Sequence, residues 1–430
     1  RAHGLSNDTI SRLSGRLGGD GPGGAEAAPA GLSPGVLRAV LAMSQRVTGF
    51  PRHLSVHCGG LVIGDKTLDH YVPLEMAAKG VIVTQFEKDA VEAIGLVKMD
   101  FLGNHGLTIR DETLRLAAQA GKHPPPPEDI PGADPATSGL LRAGRTLGCC
   151  QLESPAMRHL LRMLRAGSVK DLMQALALVR PGPASLGSKE EFVRRARGLA
   201  PATLPHPSLQ DALGGSLGMM LYEDDAMLVA AALAGVSLEQ GDLLRKAIKK
   251  ARTKEQLRQL SERFIGQAQA NGVPRAVAAG MWAHMAKFTS YSFCKAHAAS
   301  YALLAWQIAY LKAHYPLEFM VSALNHQWGM YPRRVHVEEA RRLGLTVLGP
   351  DINRSQRRFA IESGAIRVGL EQVKGLTAAT TDAILTRRRQ PFTSVTDFIQ
   401  RVAPAAEEVE ALILCGAFDF TTRNRPQLIL

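Results

Sequence analysis

The sequence has no apolar run approaching the roughly 20 residues that cross a bilayer, and no basic-then-apolar leader follows Arg1. Neither a membrane span nor a secretory signal is therefore expected, and an Arg start implies a longer protein upstream. Five cysteines, Cys58, Cys149, Cys150, Cys294 and Cys415, are scattered without a C-x-x-C spacing. Their placement argues against a disulfide framework and a zinc site and fits a reducing cytoplasm. Aromatic residues are only 5% of the chain, few for a sheet that binds single strands by stacking bases. Acidic residues are outnumbered, 39 against 51 Lys and Arg, for a net charge of +12. That balance points to a polyanionic partner, nucleic acid being the commonest for an intracellular chain.

What is present begins with length. The 430 residues, 46% of them hydrophobic, suffice for two or three domains with sizeable cores. The densest stretch is Gly95-Leu96-Val97-Lys98-Met99-Asp100-Phe101-Leu102-Gly103. It alternates like a half-buried strand, with Lys98 and Asp100 on one face and Val97, Met99 and Phe101 on the other. A helical pattern from Leu107 follows, an order that presents a carboxylate at the rim of an α/β layer, where a metal or phosphate can reach it. A surface salt bridge beside a turn is the alternative.

Residues 1 to about 34 read as a Gly-rich loop, and a helix is expected from Ser33 to about Val47. The paired glycines Gly59 and Gly60 open a strand and allow close approach. With Gly80–Gln85 and the Asp100 strand they should complete one small mixed layer, making residues 36 to 108 α/β. Beyond Thr108 helices dominate, at about 136–143, 154–165, 170–179, 188–198, 222–234, 238–250, 254–271, 274–287 and 294–325. The Pro-rich run Lys122 to Glu128 reads as a linker, and a small separate module should start near Ile361.

Four further stretches can carry chemistry. In a helix, Arg245, Lys249 and Arg252 share a face, flanked by Lys246 and Lys250, which suits a triphosphate, a DNA backbone or plain solvation. Arg180 precedes the rigid turn Pro181-Gly182-Pro183, where a fixed guanidinium can grip phosphate bidentately; a plain surface arginine is the other reading. Lys295 sits at a helix start that favours an anion, and His297 and Tyr301 share a face, either as ligand contacts or as core. Near the C-terminus, Lys374-Gly375 forms the turn of a helix-hairpin-helix pattern between two short helices, whose amides can meet a DNA phosphate without reading sequence. A bare packing unit is the alternative there, and Thr377 stands where the second hairpin glycine is usual.

These stretches occur in one order, and together they resemble the alpha subunit of bacterial DNA polymerase III, the C-family replicative polymerase. The likeness runs from about Gly49 to the end. It is carried by Arg52-His53 with His57-Cys58-Gly59-Gly60, Thr84-Gln85-Phe86, the Gly95–Gly103 stretch, Gln151-Leu152-Glu153-Ser154 with Met157, and Arg180–Pro183. It continues through Leu244-Arg245-Lys246-Ala247, Lys295–Tyr301, Leu311–Pro316 and Gly416-Ala417-Phe418-Asp419. Phe50-Pro51-Arg52-His53-Leu54-Ser55 leans toward the error-prone, lesion-bypass branch.

The resemblance implies an α+β fold: a partial polymerase-beta-like palm, a large mainly helical fingers domain and a small helix-hairpin-helix module. Residues 1–48 would end a thumb insertion, 49–108 form the second half of the palm, 109–360 the fingers and 361–430 the helix-hairpin-helix segment. Asp100 would be one of three carboxylates holding two Mg²⁺ ions, with Lys98 beside it. Arg180, Arg245, Lys246 and Lys295 would line the triphosphate path, and His297 and Tyr301 would face the nucleotide. Lys249, Lys250, Arg252, Lys374 and Gly375 would meet DNA. The implied partners are primer-template DNA, deoxynucleoside triphosphates and, through parts outside this chain, a sliding clamp and other replisome subunits, with no membrane.

Three departures qualify the likeness. Arg245-Lys246 replaces two arginines, Leu221-Tyr222-Glu223-Asp224-Asp225 is more acidic than the common Gln-Glu-Gln version, and Asn104-His105 replaces a Leu-Arg pair. No Asp-x-Asp precedes Asp100, although the family's other two catalytic carboxylates lie in such a strand. The chain alone is thus expected to bind DNA without polymerising. A non-catalytic polymerase remnant acting as a DNA scaffold and a basic helical RNA binder are the competing readings.

Overall fold

The computed structural model describes residues 10, 34–50, 55–179, 187–251, 253–288, 293–326 and 329–429. Arg52, His53, Arg180, the Pro181–Pro183 turn, Arg252 and Ser290–Ser292 lie outside the described residues. The chain forms two compact units, Arg1–Gly103 and Asn104–Leu430.

In the first unit, α1 (Pro34–Val47) carries its proline at the first helical position, where the missing N–H costs nothing. The strands β1 (Gly60–Ile63), β2 (Leu74–Met76) and β3 (Ile82–Thr84), the helix α2 (Lys88–Ala93) and the strand β4 (Val97–Asp100) follow. The single mixed layer expected from the sequence is not what forms. Among the described residues there are two separate antiparallel pairs, β1 with β4 and β2 with β3. The second pair closes locally, through the turn in which the Ala77 amide donates to the Val81 carbonyl and Gly80 takes φ +76°.

The β1–β4 register sets Gly60 opposite Asp100 and Val62 opposite Lys98. It explains the paired glycines. A Cβ at Gly59 would run into the Phe101 carbonyl, and one at Gly60 would stand 3.1 Å from the His57 ring and 3.3 Å from Asp100 Oδ1. The approaching group is the chain's own strand. Alternation along β4 holds, but Val97, Met99 and Phe101 are exposed together with Leu61 and Ile63. The opposite face is the covered one. There Val62 packs against the small core of Val72, Val91 and Leu96, and the Lys98 side chain is only 17% exposed.

The second unit is helical, and side-chain caps set many of its boundaries. Asn104 caps α3 (His105–Gln119), Asp134 caps α4 (Pro135–Arg142), Ser154 caps α5 (Pro155–Leu164) and Ser168 caps α6 (Val169–Leu178). Next come α7 (Ser188–Ala196), α8 (Gln210–Leu213), α9 (Glu223–Ala234), α10 (Leu238–Lys250), α11 (Lys254–Ala270), α12 (Arg275–Phe288), α13 (Lys295–His314), α14 (Pro316–His326) and α15 (Arg333–Arg342). The helix expected over 294–325 is therefore broken. Pro316 has no N–H to continue the ladder, and its ring forces Tyr315 out of helical geometry, to φ −130° and ψ 54°.

Alanines at 298, 302, 305 and 309 let α13 lie close to its neighbours, with Trp306 and Ile308 fully enclosed in the main core. The Pro-rich run is tied down rather than loose: Gln307 Nε2 donates to the Pro127 carbonyl at 2.9 Å and Trp306 Nε1 to Pro131 at 2.8 Å. Helices α9, α11 and α12 build a second core around Val229, Leu233, Phe264 and Trp282.

The C-terminal part opens on a mixed sheet in which β5 (Val347–Leu348) runs parallel to β7 (Ala365–Arg367), and β7 antiparallel to β6 (Ala360–Glu362). Its first strand precedes residue 361. Four helices close the chain, α16 (Ala378–Arg387), α17 (Val395–Val402), α18 (Ala406–Leu414) and α19 (Arg425–Ile429). They surround Phe392, Phe398 and Phe418, stacked edge to face with centroids 5.3 Å apart. No single helix among the described residues is long and apolar enough to cross a membrane.

Candidate functional site

In the first unit, Asp100 ends β4 and its carboxylate pairs with the Lys98 ammonium. That contact, reinforced by His57 at 3.7 Å, holds the Asp100 carboxyl below the usual carboxylate range. His57 Nδ1 accepts the Gly59 amide at 3.2 Å. His57 belongs to the paired-glycine stretch, yet its place beside Asp100 was not legible there. It follows from the 60-to-100 strand pairing, which local spacing does not encode.

In the second unit the cationic residues meet at the start of α9. Arg245 donates from Nε and Nη2 to Asp242 Oδ1 at 2.8 and 2.7 Å, and from Nη1 to Glu223 at 3.3 Å. Lys246 reaches the other Asp242 oxygen at 2.7 Å, and these two cations, Lys246 first, hold the Asp242 carboxyl low. Lys249 and Lys250 are exposed on the same helix. The Lys295 amide, expected to favour an external anion, donates to Asp224 at 3.1 Å, while its ammonium lies 5.8 Å from the Tyr222 ring centroid.

The neighbouring Asp225 is buried, accepts the Leu221 and Tyr222 amides at 2.7 and 2.9 Å, and has its pKa raised by burial. The Glu223 amide donates to the Phe293 carbonyl at 2.9 Å. The acidic run noted as a departure is thus the junction of α9, α10 and the segment leading into α13.

His297 stacks against Tyr301, with centroids 4.5 Å apart, and meets Phe293 edge-on at 5.1 Å. It faces a cavity of about 540 Å³ that Gly106, Gln151, Glu153 and Phe293 also line. Glu153 accepts the Gly148 amide at 3.2 Å and the Met330 amide at 3.1 Å, with His336 Nε2 3.6 Å away. Burial works against its charge, but His336 and the two amides outweigh burial and keep the carboxyl below its usual range. Among the described residues no group of three His, Cys, Asp or Glu side chains converges as a metal would require.

In the C-terminal part, Lys374 is exposed and Gly375 takes φ +92°, a conformation that favours glycine. The two short helices expected around this turn are one 3₁₀ turn, Leu370–Gln372, and α16. The Thr377 amide is already engaged. The buried Glu408 accepts it at 2.8 Å, together with the Thr380 hydroxyl at 2.8 Å and the Ala405 amide at 3.0 Å. Thr377 offers a hydroxyl cap to α16, which a second glycine would not.

The described residues thus combine exposed lysines on one helix, an ionised carboxylate at a strand end and a glycine turn before a capped helix. Comparison with known proteins makes this specific. Residues 31–103 match the model described as bacterial DNA polymerase III alpha NTPase domain, residues 106–272 the bacterial DNA polymerase III alpha subunit finger domain, and residues 344–428 a helix-hairpin-helix motif. An error-prone DNA polymerase of Symbiobacterium thermophilum is 36% identical over 409 residues, 89% of this chain and 37% of that protein. The DNA polymerase III subunit alpha of Thermus aquaticus is 37% identical over 394 residues, 89% of this chain and 32% of that protein. That of Bacillus subtilis is 33% identical over 399 residues, 92% of this chain and 36% of that protein. The chain belongs to the bacterial DNA polymerase III alpha family, and it spans about a third of the length of these curated relatives.

Proposed function

We propose that this chain is the part of a DNA-directed DNA polymerase that carries one palm carboxylate, the fingers and a helix-hairpin-helix segment, within a cytoplasmic protein that extends primer 3′ ends in replication or lesion bypass. The observation that carries the reading is Asp100: an ionised carboxylate at the end of β4, steadied by Lys98. In this reading residues 49–108 are palm-like, 109–360 are fingers and 361–430 meet DNA, with 1–48 ending a thumb insertion.

Arg180, Arg245, Lys246 and Lys295 bind the triphosphate, and the stacked pair His297 and Tyr301 meets the sugar and base of the incoming nucleotide. Lys249, Lys250, Arg252, Lys374 and Gly375 meet the DNA backbone, and clamp and replisome partners bind elsewhere in the longer protein. Lys98 keeps Asp100 free of a proton, so that no general-acid role falls to it.

Polymerases of this kind use Mg²⁺, which activates the primer hydroxyl and steadies the leaving pyrophosphate. The described residues do not build that site: Asp100 is a single carboxylate already paired with Lys98, and no third ligand converges. This favours, for the chain alone, DNA binding without extension. In the complete polymerase, Asp100→Asn should abolish primer extension while leaving primer-template affinity within about twofold. Retained extension in a gel assay overturns the catalytic assignment. Tight DNA binding with no extension even by the unaltered complete protein favours the scaffold reading instead.

A further inference from the structure

Two of the cations read as the triphosphate path, Arg245 and Lys246, are already paired with acids. Arg245 and Lys246 bring two positive charges, and Asp242 and Glu223 bring two negative ones within 2.7 to 3.3 Å. The cluster is neutral as it stands, with the Arg245 side chain only 15% exposed. A phosphate approaching it gains little from long-range attraction and meets carboxylate repulsion at contact. The two acids are not equivalent. Asp242 holds the Nε and Nη2 edge of Arg245 at 2.8 and 2.7 Å and holds Lys246 as well, from one turn away on the same helix. Glu223 comes from another helix, reaches only Nη1, and does so at a longer 3.3 Å.

We infer that Glu223 is an internal competitor for phosphate at Arg245, and that Asp242 is the positioning residue that fixes the guanidinium for it. The proposal rests on the reading of Arg245 as a phosphate ligand. The triphosphate displaces Glu223 from Nη1 and takes the fork that Asp242 leaves free, so affinity is set by the difference between two anions for one cation. A glutamine at 223 keeps the shape and removes the competing charge. An asparagine at 242 removes the charge that orients both cations.

The two substitutions should therefore shift binding in opposite directions, which a merely structural role for either residue does not do. Inorganic tripolyphosphate and a deoxynucleoside triphosphate are titrated into the full chain by calorimetry, with thermal unfolding checking that each variant folds. Glu223→Gln should tighten binding by about 2- to 5-fold and Asp242→Asn should weaken it by about 2- to 5-fold, the range of one partly exposed ion pair. Arg245→Ala should weaken it by more than about tenfold. Unchanged or weaker binding by Glu223→Gln, with Arg245→Ala still impaired, overturns the competitor and leaves Arg245 in place. Arg245→Ala binding as well as the unaltered chain removes Arg245 from the phosphate site and the competitor with it. No binding by either the unaltered chain or Glu223→Gln overturns the proposal too.

Discussion

Lys312 points its ammonium into the interior, where the carbonyls of Arg145 and Leu147 accept from it at 2.8 Å and Glu339 at 2.6 Å. Both side chains are nearly inaccessible, so each is the other's compensation for lost water. Removing one strands the other: Glu339→Ala should cost about 3–5 kcal/mol, read as a lower urea midpoint. Lys312→Met, which removes the buried cation and fills its space, should cost less if Glu339 is replaced by Gln in the same chain. The pair was invisible in the sequence, where Lys312 lies within a helical pattern and its carbonyl partners stand about 165 residues away. The same limit hid His57 beside Asp100 and Glu223 beside Arg245. Residue types were legible as candidates because charge and spacing are local. Partners from other elements were not, and for Arg245 one of them, Glu223, is an acid that alters what the cation can do.

At the scale of elements, what could be read was the helices whose ends carry their own signals. Ser154, Ser168, Ser237 and Thr253 each cap the helix they precede, and the expected spans fall within two or three residues of those observed. The interruption at Tyr315 was marked by Pro316 but was overridden in the reading by an apolar pattern continuing on both sides. Helix α17 went unread, although Ser394 caps it in the same manner, because its apolar residues stand next to a Pro-containing loop.

The helix-hairpin-helix segment shows how an element can keep a pattern while altering its use. Glu408 gathers three donors at the mouth of α16, so the Thr377 amide is spent inside the protein. Glu408→Ala should leave those donors without a buried acceptor and destabilise this segment by about 2–3 kcal/mol. Hydrogen exchange should show the Thr377 amide losing protection first, while amides in α13 remain unaffected. An unchanged exchange rate at Thr377 would mean that Glu408 is not what holds it.

For the whole molecule, the two units differ in how much apolar surface each can enclose. The first buries Val72, Val91 and Leu96, with Val62, Leu68 and Leu74 packed against them, while Leu61, Ile63, Val97, Met99, Phe101 and Leu102 remain exposed. So few enclosed residues give little stability, and an exposed apolar face adjoining a two-stranded pair adds none of its own. Among the described residues the second unit encloses three clusters, around Trp306, Phe264 and Phe398, enough for cooperative unfolding. Residues 104–430 produced alone should therefore melt in a sharp transition by circular dichroism. Residues 34–103 produced alone should show no such transition and should enhance the fluorescence of an apolar dye. Sharp, reversible melting of 34–103 would mean that the small core around Val91 suffices and that the exposed strand faces are compatible with a stable fold. Absence of a transition in 104–430 would mean that its three clusters need residues 1–103 to form.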